Sequence, residues 1–279
     1  MTLSDLNTFI IRKLSADIGQ REASATARLL LEDVLNVSQV KLLTHGDRLI
    51  EPETEALFYK IIERILSGEP PQYIIGKARF MGMDFKVTRD TLIPRPETAE
   101  LVDIVVDYAK KRHGLKILDV GTGSGCIAIA LARALPFAEI TAIDISEAAL
   151  EVARENAKNL NVIIDFFQED ILNTRQLPLD FNIVVSNPPY ITEKEKESMD
   201  IRVKEFEPSS ALFVPDNDPL KFYRAIIKVT KVMDSNPSLF FEINPYYAKE
   251  LSEILSNAGY DVQILRDSIS RQRFISASH

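Results

Sequence analysis

Lys116-Ile117-Leu118-Asp119-Val120, then Gly121-Thr122-Gly123-Ser124-Gly125, then an Ile-, Ala- and Leu-rich run from Cys126 to Leu135, is the stretch on which the fold turns. The first five residues, with Ile117, Leu118 and Val120 apolar, read as a strand, and the Ala-rich run as a helix. The glycines between them give a tight turn that a ligand can approach closely. The spacing is G-x-G-x-G with Cys126 next, which departs from the G-x-G-x-x-G fingerprint of dinucleotide binders.

Asp119 stands just before this loop, where a diphosphate is repelled and a cationic ligand is not. S-adenosyl-L-methionine carries a sulfonium and an ammonium and no phosphate. The charges therefore favour it over a nicotinamide cofactor, with Asp119, Gly121, Thr122, Gly123, Ser124 and Gly125 as candidate cofactor-binding residues. A glycine-rich turn with no ligand is the plain alternative.

Outward from the loop the pattern alternates strand and helix. Apolar runs end at Val120, Ile143, Val185 and Ile243, and runs this continuous are covered on both faces, as in a parallel α/β sheet. Ligands of such sheets bind beyond the carboxyl ends of the strands. Asp144, at the end of the second run, stands where an acid grips both ribose hydroxyls; a helix cap is the other reading, though Ser146 is better placed for one. Asp170, after Asp165 to Glu169, is placed to accept from an adenine amino group, or is a solvated loop residue. Arg271 to His279 reads as a last strand and a short tail.

The fourth run, Phe181 to Val185, leads into Ser186-Asn187-Pro188-Pro189-Tyr190. Two prolines fix the backbone and remove two N–H donors, leaving carbonyl oxygens. With the Asn187 side-chain oxygen these make a fork of acceptors for an NH₂ group, and the Tyr190 ring is expected to lie against a flat substrate. An amide nitrogen is a poor nucleophile because its lone pair is delocalised. Holding both N–H bonds orients it, and positioning of this kind supplies roughly 7–11 kcal/mol of a barrier. Oriented dipoles add to that. No His or Lys adjoins the motif in sequence, so no dedicated general base is expected. A merely rigid loop is the competing reading.

The first stretch, Met1 to Gly68, reads as helices: Ala27, Leu30, Leu31, Val34 and Leu35 share one face. Pro70-Pro71 breaks that pattern, and Tyr73 to Val87, with Gly76 and Gly82, reads as paired short strands. Leu92 to Thr98 is an extended approach to a helix striped by Leu101, Ile104, Val105 and Tyr108. The expected division is a helical domain over 1–70, a hairpin linker over 71–92 and a catalytic domain over 93–279.

Bulk properties narrow the classes. Lys plus Arg is 33 against 41 for Asp plus Glu, a net charge of −8, so the overall field does not attract nucleic acid. Cys126 is the only cysteine, which excludes an internal disulfide and a cysteine-based zinc site. The start lacks the features of a signal peptide, and no apolar run approaches the ~18 residues of a membrane span. A cytoplasmic location and no metal are expected. His45, His113 and His279 are scattered and given no role, and Glu193 to Glu197 is read as a solvated segment.

Asn187-Pro188-Pro189-Tyr190 with Asp119 to Gly125 resembles the class I amino-methyltransferases. Ile93-Pro94-Arg95-Pro96-Glu97-Thr98, Phe206-Glu207-Pro208 with Ala211-Leu212, and Pro71-Gln72-Tyr73-Ile74 with Gly76 resemble one branch of them, the HemK/PrmC release-factor glutamine methyltransferases. The resemblance covers nearly the whole chain. It implies a seven-stranded Rossmann-like methyltransferase sheet, with a small N-terminal helical domain and a linking β-hairpin. It implies a cofactor held by the glycine loop, Asp144, Asn187, Asp170 and Ile171. The glutamine of the Gly-Gly-Gln motif in class I peptide chain release factors would be held by Asn187, Pro188, Pro189 and Tyr190, with Arg95 among the substrate contacts and a monomeric enzyme. Ala99, Ile171 and Asp234 to Pro237 depart from the family pattern. Two other functions fit less well: methylation of an exocyclic amine of rRNA or DNA, which calls for a basic binding module, and a non-catalytic cofactor-binding module, which has no use for an intact acceptor fork.

Overall fold

A computed structural model describes residues 1–177 and 180–279. In chain order, helices α1 (Leu3–Ile18), α2 (Gln20–Leu35), α3 (Gln39–Thr44), α4 (Pro52–Leu66) and α5 (Pro71–Ile75) precede the strands β1 (Lys77–Phe80) and β2 (Met83–Lys86). Helix α6 (Pro96–Ala109) then leads into β3 (Lys116–Val120), α7 (Cys126–Ala134), β4 (Glu139–Asp144), α8 (Glu147–Asn159), β5 (Asp165–Gln168) and β6 (Ile183–Ser186). After these come β7 (Ile191–Thr192), α9 (Ile201–Phe206), β8 (Phe213–Val214) and α10 (Lys221–Thr230). Strand β9 (Ser238–Glu242), α11 (Ala248–Asn257), β10 (Asp261–Arg266) and β11 (Gln272–Ser278) complete the chain.

The chain forms two compact units, Met1–Lys77 with Asp200–Phe206, and Ala78–Met199 with Glu207–His279. The first is helical. Leu6, Ile10 and Leu14 of α1, Ala27, Leu30 and Leu31 of α2, and Phe58, Ile62 and Ile65 of α4 share one core at helical spacing. Helix α1 starts at a capping box, in which Thr2 Oγ1 accepts from Asp5 N at 3.1 Å and Asp5 Oδ2 accepts from Thr2 N at 3.0 Å. Asp200–Phe206 joins this unit although it lies far along the chain, packing Phe206 and Ile201 beside Gly68.

The segment expected to be strand from Tyr73 begins instead as helix α5. Pro71 sits in its first turn, where a missing N–H costs nothing, so the proline pair ends one helix and opens another. Pairing is confined to β1 and β2, joined by Met81 and Gly82 with φ of 48° and 74°, the two positive values of a tight hairpin turn.

The second unit is built on a seven-stranded sheet in the order β10-β11-β9-β6-β3-β4-β5. The pairs β3–β4, β3–β6, β4–β5 and β6–β9 are parallel, and β11 runs antiparallel to both its neighbours. Both faces are covered. Leu118, Val184 and Phe241 pack on one side with residues of α10 and α11, and Ile117, Val185 and Phe240 pack on the other with α6 and α7. This period-two division between two cores is why the strands read as unbroken apolar runs. The strand order reverses at β3, which opens a crevice beyond the carboxyl ends of β3, β4 and β6. Among the described residues no helix is long and apolar enough to cross a membrane, and no cluster of ligating side chains could hold a metal ion.

Candidate active site

The crevice is a cavity whose wall includes Gly121, Gly123, Asp144, Asp170, Ile171, Asn187, Pro188 and Pro189. The glycine loop is tied to the next strand: Gly121 N and Thr122 N donate to Ile143 O at 2.9 and 3.1 Å. Gly121 and Gly123 have φ of 75° and 55°, and a Cβ on either would meet no atom within 4 Å, so backbone there faces open space. Gly125 is different. A Cβ on it would come within 3.1 Å of Ala153 and Ile129, so this glycine serves close packing of α7 against α8.

Asp144 holds the loop from the far side. Its Oδ2 accepts from Gly123 N and its Oδ1 from Ser146 N, both at 2.9 Å, and burial raises its pKa. Each oxygen keeps a second acceptor position. Ser146 caps α8, accepting from Ala149 N, so Asp144 is not the cap. Asp170 braces its own turn, accepting from Leu172 N at 2.9 Å and Asn173 Nδ2 at 2.6 Å.

Six of the expected site residues do not line the cavity: Asp119, Thr122, Ser124, Gly125, Arg95 and Tyr190. Asp119 lies buried under the loop, where Oδ2 accepts from Thr122 Oγ1 at 2.7 Å and Oδ1 has no hydrogen-bond partner. The Thr122 hydroxyl and the Ala128 backbone amide favour its charged form. Burial prevails over both and lifts its pKa to about 7. Arg95 pairs with buried Glu207 at 2.6 Å, and Ile93 N donates to the other Glu207 oxygen at 3.3 Å, so the Ile93–Thr98 and Phe206–Leu212 motifs clamp each other.

Tyr190 turns its hydroxyl into the sheet. It donates to Glu242 Oε1 at 2.9 Å and accepts from Arg273 Nη1 at 3.2 Å, while its carbonyl accepts from Asn244 Nδ2 at 3.2 Å. The other Glu242 oxygen accepts from Thr98 Oγ1 at 2.8 Å, and Thr98 Oγ1 accepts from Asn187 Nδ2 at 3.2 Å. Among the described residues nothing donates to Asn187 Oδ1, the oxygen of the fork. Burial is the main influence on Glu242 and raises its pKa.

Sequence reading assigned no role to Thr98, Glu242, Asn244 or Arg273. The signal was present for one of them. A glutamate inside Leu239-Phe240-Phe241-Glu242-Ile243 must be buried, and a buried carboxylate needs donors. Lys221 also reaches the cavity wall, from far along the chain.

A doubly wound sheet with its cavity at the β3 switch point, walled by a G-x-G-x-G turn and an Asn-Pro-Pro-Tyr loop, defines a methyltransferase of the Rossmann-like class. Residues 101–212 match the Methyltransferase small domain, and residues 11–76 match the PrmC N-terminal domain. A release factor glutamine methyltransferase of Bacteroides thetaiotaomicron is 37% identical over 279 residues, covering 99% of this chain and 100% of its own. Another, of Flavobacterium psychrophilum, is 38% identical over 273 residues, 96% of each chain. The chain belongs to the release factor glutamine methyltransferase family.

Proposed function

We propose that the chain methylates the side-chain amide nitrogen of the glutamine in the Gly-Gly-Gln motif of class I peptide chain release factors, and so modulates translation termination. S-adenosyl-L-methionine is the methyl donor in this reading. The observation that carries it is the Asn187 side chain, whose NH₂ is engaged by Thr98 and whose oxygen is left free at the cavity.

The residues suit that cofactor. Gly121 and Gly123 present backbone to open space, Asp144 keeps acceptor positions for ribose hydroxyls, and Ile143, Ile145 and Ile171 supply apolar wall for an adenine. Asp170, engaged in its own turn, keeps one acceptor position on each oxygen. Asp119 supports the loop from beneath. When bound, S-adenosylmethionine supplies an electrophilic methyl on a sulfonium.

Everything else falls to the chain. Asn187 Oδ1 and the carbonyl of Pro188 accept the two N–H groups of the glutamine amide, which aims the nitrogen and disperses positive charge as its new bond forms. Pro189 keeps the turn rigid, and Tyr190, anchored on Glu242, fixes its far end. The amide proton leaves to water. Arg95 acts at a distance, by fixing Leu92 and Pro208 at the cavity wall through Glu207. The same reading takes 1–70 as a helical domain, 71–92 as the linking segment and 93–279 as the methyltransferase domain. It assigns a monomer in the cytoplasm whose macromolecular partner is a protein rather than nucleic acid or membrane.

Labelled cofactor incubated with a class I release factor tests this directly. Mass spectrometry is expected to find one methyl on the Gly-Gly-Gln glutamine. Asn187→Ala is expected to lose most turnover while keeping cofactor binding. Label in RNA and none in protein would reverse the assignment.

A further inference from the structure

We propose that Thr98 and Glu242 are positioning residues that lock the Asn187 amide with its oxygen toward the substrate, and that this lock makes the site reject glutamate in place of glutamine. The inference rests on the function proposed above and concerns how that site tells two isosteric side chains apart.

With Glu242 ionised, the direction of the hydrogen-bond chain is set at each link. Arg273 can only donate, and its Nη1 lies 3.2 Å from Tyr190 OH. The Tyr190 oxygen therefore accepts there and gives its own proton to Glu242 Oε1, at 2.9 Å. Arg273 Nη1 is also 3.8 Å from Glu242 Oε1, and its charge, with the hydrogen bonds from Thr98 and Tyr190, opposes the effect of burial and favours a carboxylate at the centre. A carboxylate only accepts, so Thr98 directs its single proton to Glu242 Oε2, at 2.8 Å. That leaves Thr98 Oγ1 as the acceptor for Asn187, which must present Nδ2, at 3.2 Å. Oδ1 is left for the substrate.

Both Thr98 and Glu242 are buried, at 2% and 1% exposure, so water does not relax the constraint. A glutamine brings two N–H groups to Asn187 Oδ1 and the proline carbonyl. A glutamate has the same shape and no N–H, and sets oxygen against oxygen. An amide free to turn would present Nδ2 to that carboxylate and soften the repulsion. The locked amide cannot. A site built around a particular polar group rejects the analogue lacking it far more strongly than a hydrophobic pocket does.

Two substitutions release the lock in different ways. Thr98→Val keeps the shape and removes the hydroxyl, so Asn187 can turn. Glu242→Gln goes further. Tyr190 donates to the Oε1 side, so the new amide keeps its oxygen there and turns its NH₂ toward Thr98. Thr98 then accepts from residue 242 and donates to Asn187, which must present Oδ1 to it and Nδ2 to the cavity. The links from residue 242 through Thr98 to Asn187 reverse, while those from Arg273 and Tyr190 stay as they were.

The test uses the full-length enzyme with a full-length class I release factor carrying either Gln or Glu at the modified position. The Gln form is assayed as substrate and the Glu form as competitive inhibitor. The readout is the ratio of the inhibition constant of the Glu form to the KM of the Gln form. Wild type is expected to have a high ratio. Thr98→Val should lower it about tenfold and Glu242→Gln further, with methylation of Gln falling and cofactor binding kept. Thr98→Ser, which restores the hydroxyl, should restore the ratio. A purely structural role would weaken both forms alike. An unchanged ratio in Thr98→Val, or a ratio in Thr98→Ser as low as in Thr98→Val, overturns the inference while the function stands. A wild-type enzyme that leaves the Gln form unmethylated overturns both.

Discussion

Asp119 offers a sharp test of how burial governs this site. Its carboxyl is fully buried, one oxygen lacks a partner, and its pKa stands at about 7 against an ordinary value of 3.8. The shift is upward, so between those values the folded chain holds a proton that the unfolded chain has released. Stability therefore falls as pH rises through this window and levels off once the folded form ionises near 7. The slope is about 1.4 kcal/mol per pH unit, and over the full window the loss is on the order of 4 kcal/mol. Asp119→Asn does not titrate and can still accept from Thr122 through its amide oxygen. Urea unfolding of both proteins at about pH 5 and about pH 8 is the assay, and the mutant should gain roughly 3 kcal/mol on wild type between the two. Parallel pH profiles would mean that Asp119 is ionised in the folded protein at the lower pH, and the burial reasoning would fail.

Two of the loop glycines should separate in experiment. Gly123→Ala costs about 1–2 kcal/mol for its positive φ and lowers cofactor affinity by calorimetry, whereas Gly125→Ala, which also crowds Ala153 and Ile129, costs roughly 2–4 kcal/mol in denaturant unfolding. Cys126 is half-buried as a residue but its thiol is desolvated, and burial lifts its pKa to about 12. At pH ~8 the native protein should alkylate about a thousandfold more slowly than a free cysteine, and labelling at the ordinary rate would count against that environment. Glu207→Ala is expected to cost about 2 kcal/mol, less than a fully enclosed pair because the Arg95 side chain remains 32% exposed, and to raise KM for the release factor. Unaltered stability and KM would remove the clamp between the two motifs.

Much of the fold was legible because its strands are covered on both faces. β3, β4, β6 and β9 are buried nearly throughout and read as apolar runs. β10 was not legible: it is an edge strand with alternate residues exposed and polar ends, so no run marks it. Helix α5 was misread because a proline pair both ends one helix and suits the first turn of the next. In the site, local motifs named the cavity wall, since the glycine turn and the Asn-Pro-Pro-Tyr loop carry their geometry within a few residues. The links behind the wall were invisible. Thr98 meets Glu242 across 144 positions and Tyr190 meets Arg273 across 83. The tyrosine after the two prolines anchors its turn through its hydroxyl, and the carboxylate on β9 that receives it lies 52 positions away.

The reversed run of β11 also fixes which way the end of the chain points. Ala277 pairs with Leu239 at the beginning of β9, and His279 lies against Tyr260, just before β10 begins. The strands that wall the cavity end at the opposite side of the sheet. A fusion partner or surface tether attached after His279 therefore emerges behind the sheet and leaves the mouth clear for a bulky protein. A linker inserted between β3 and α7 would sit in the mouth itself.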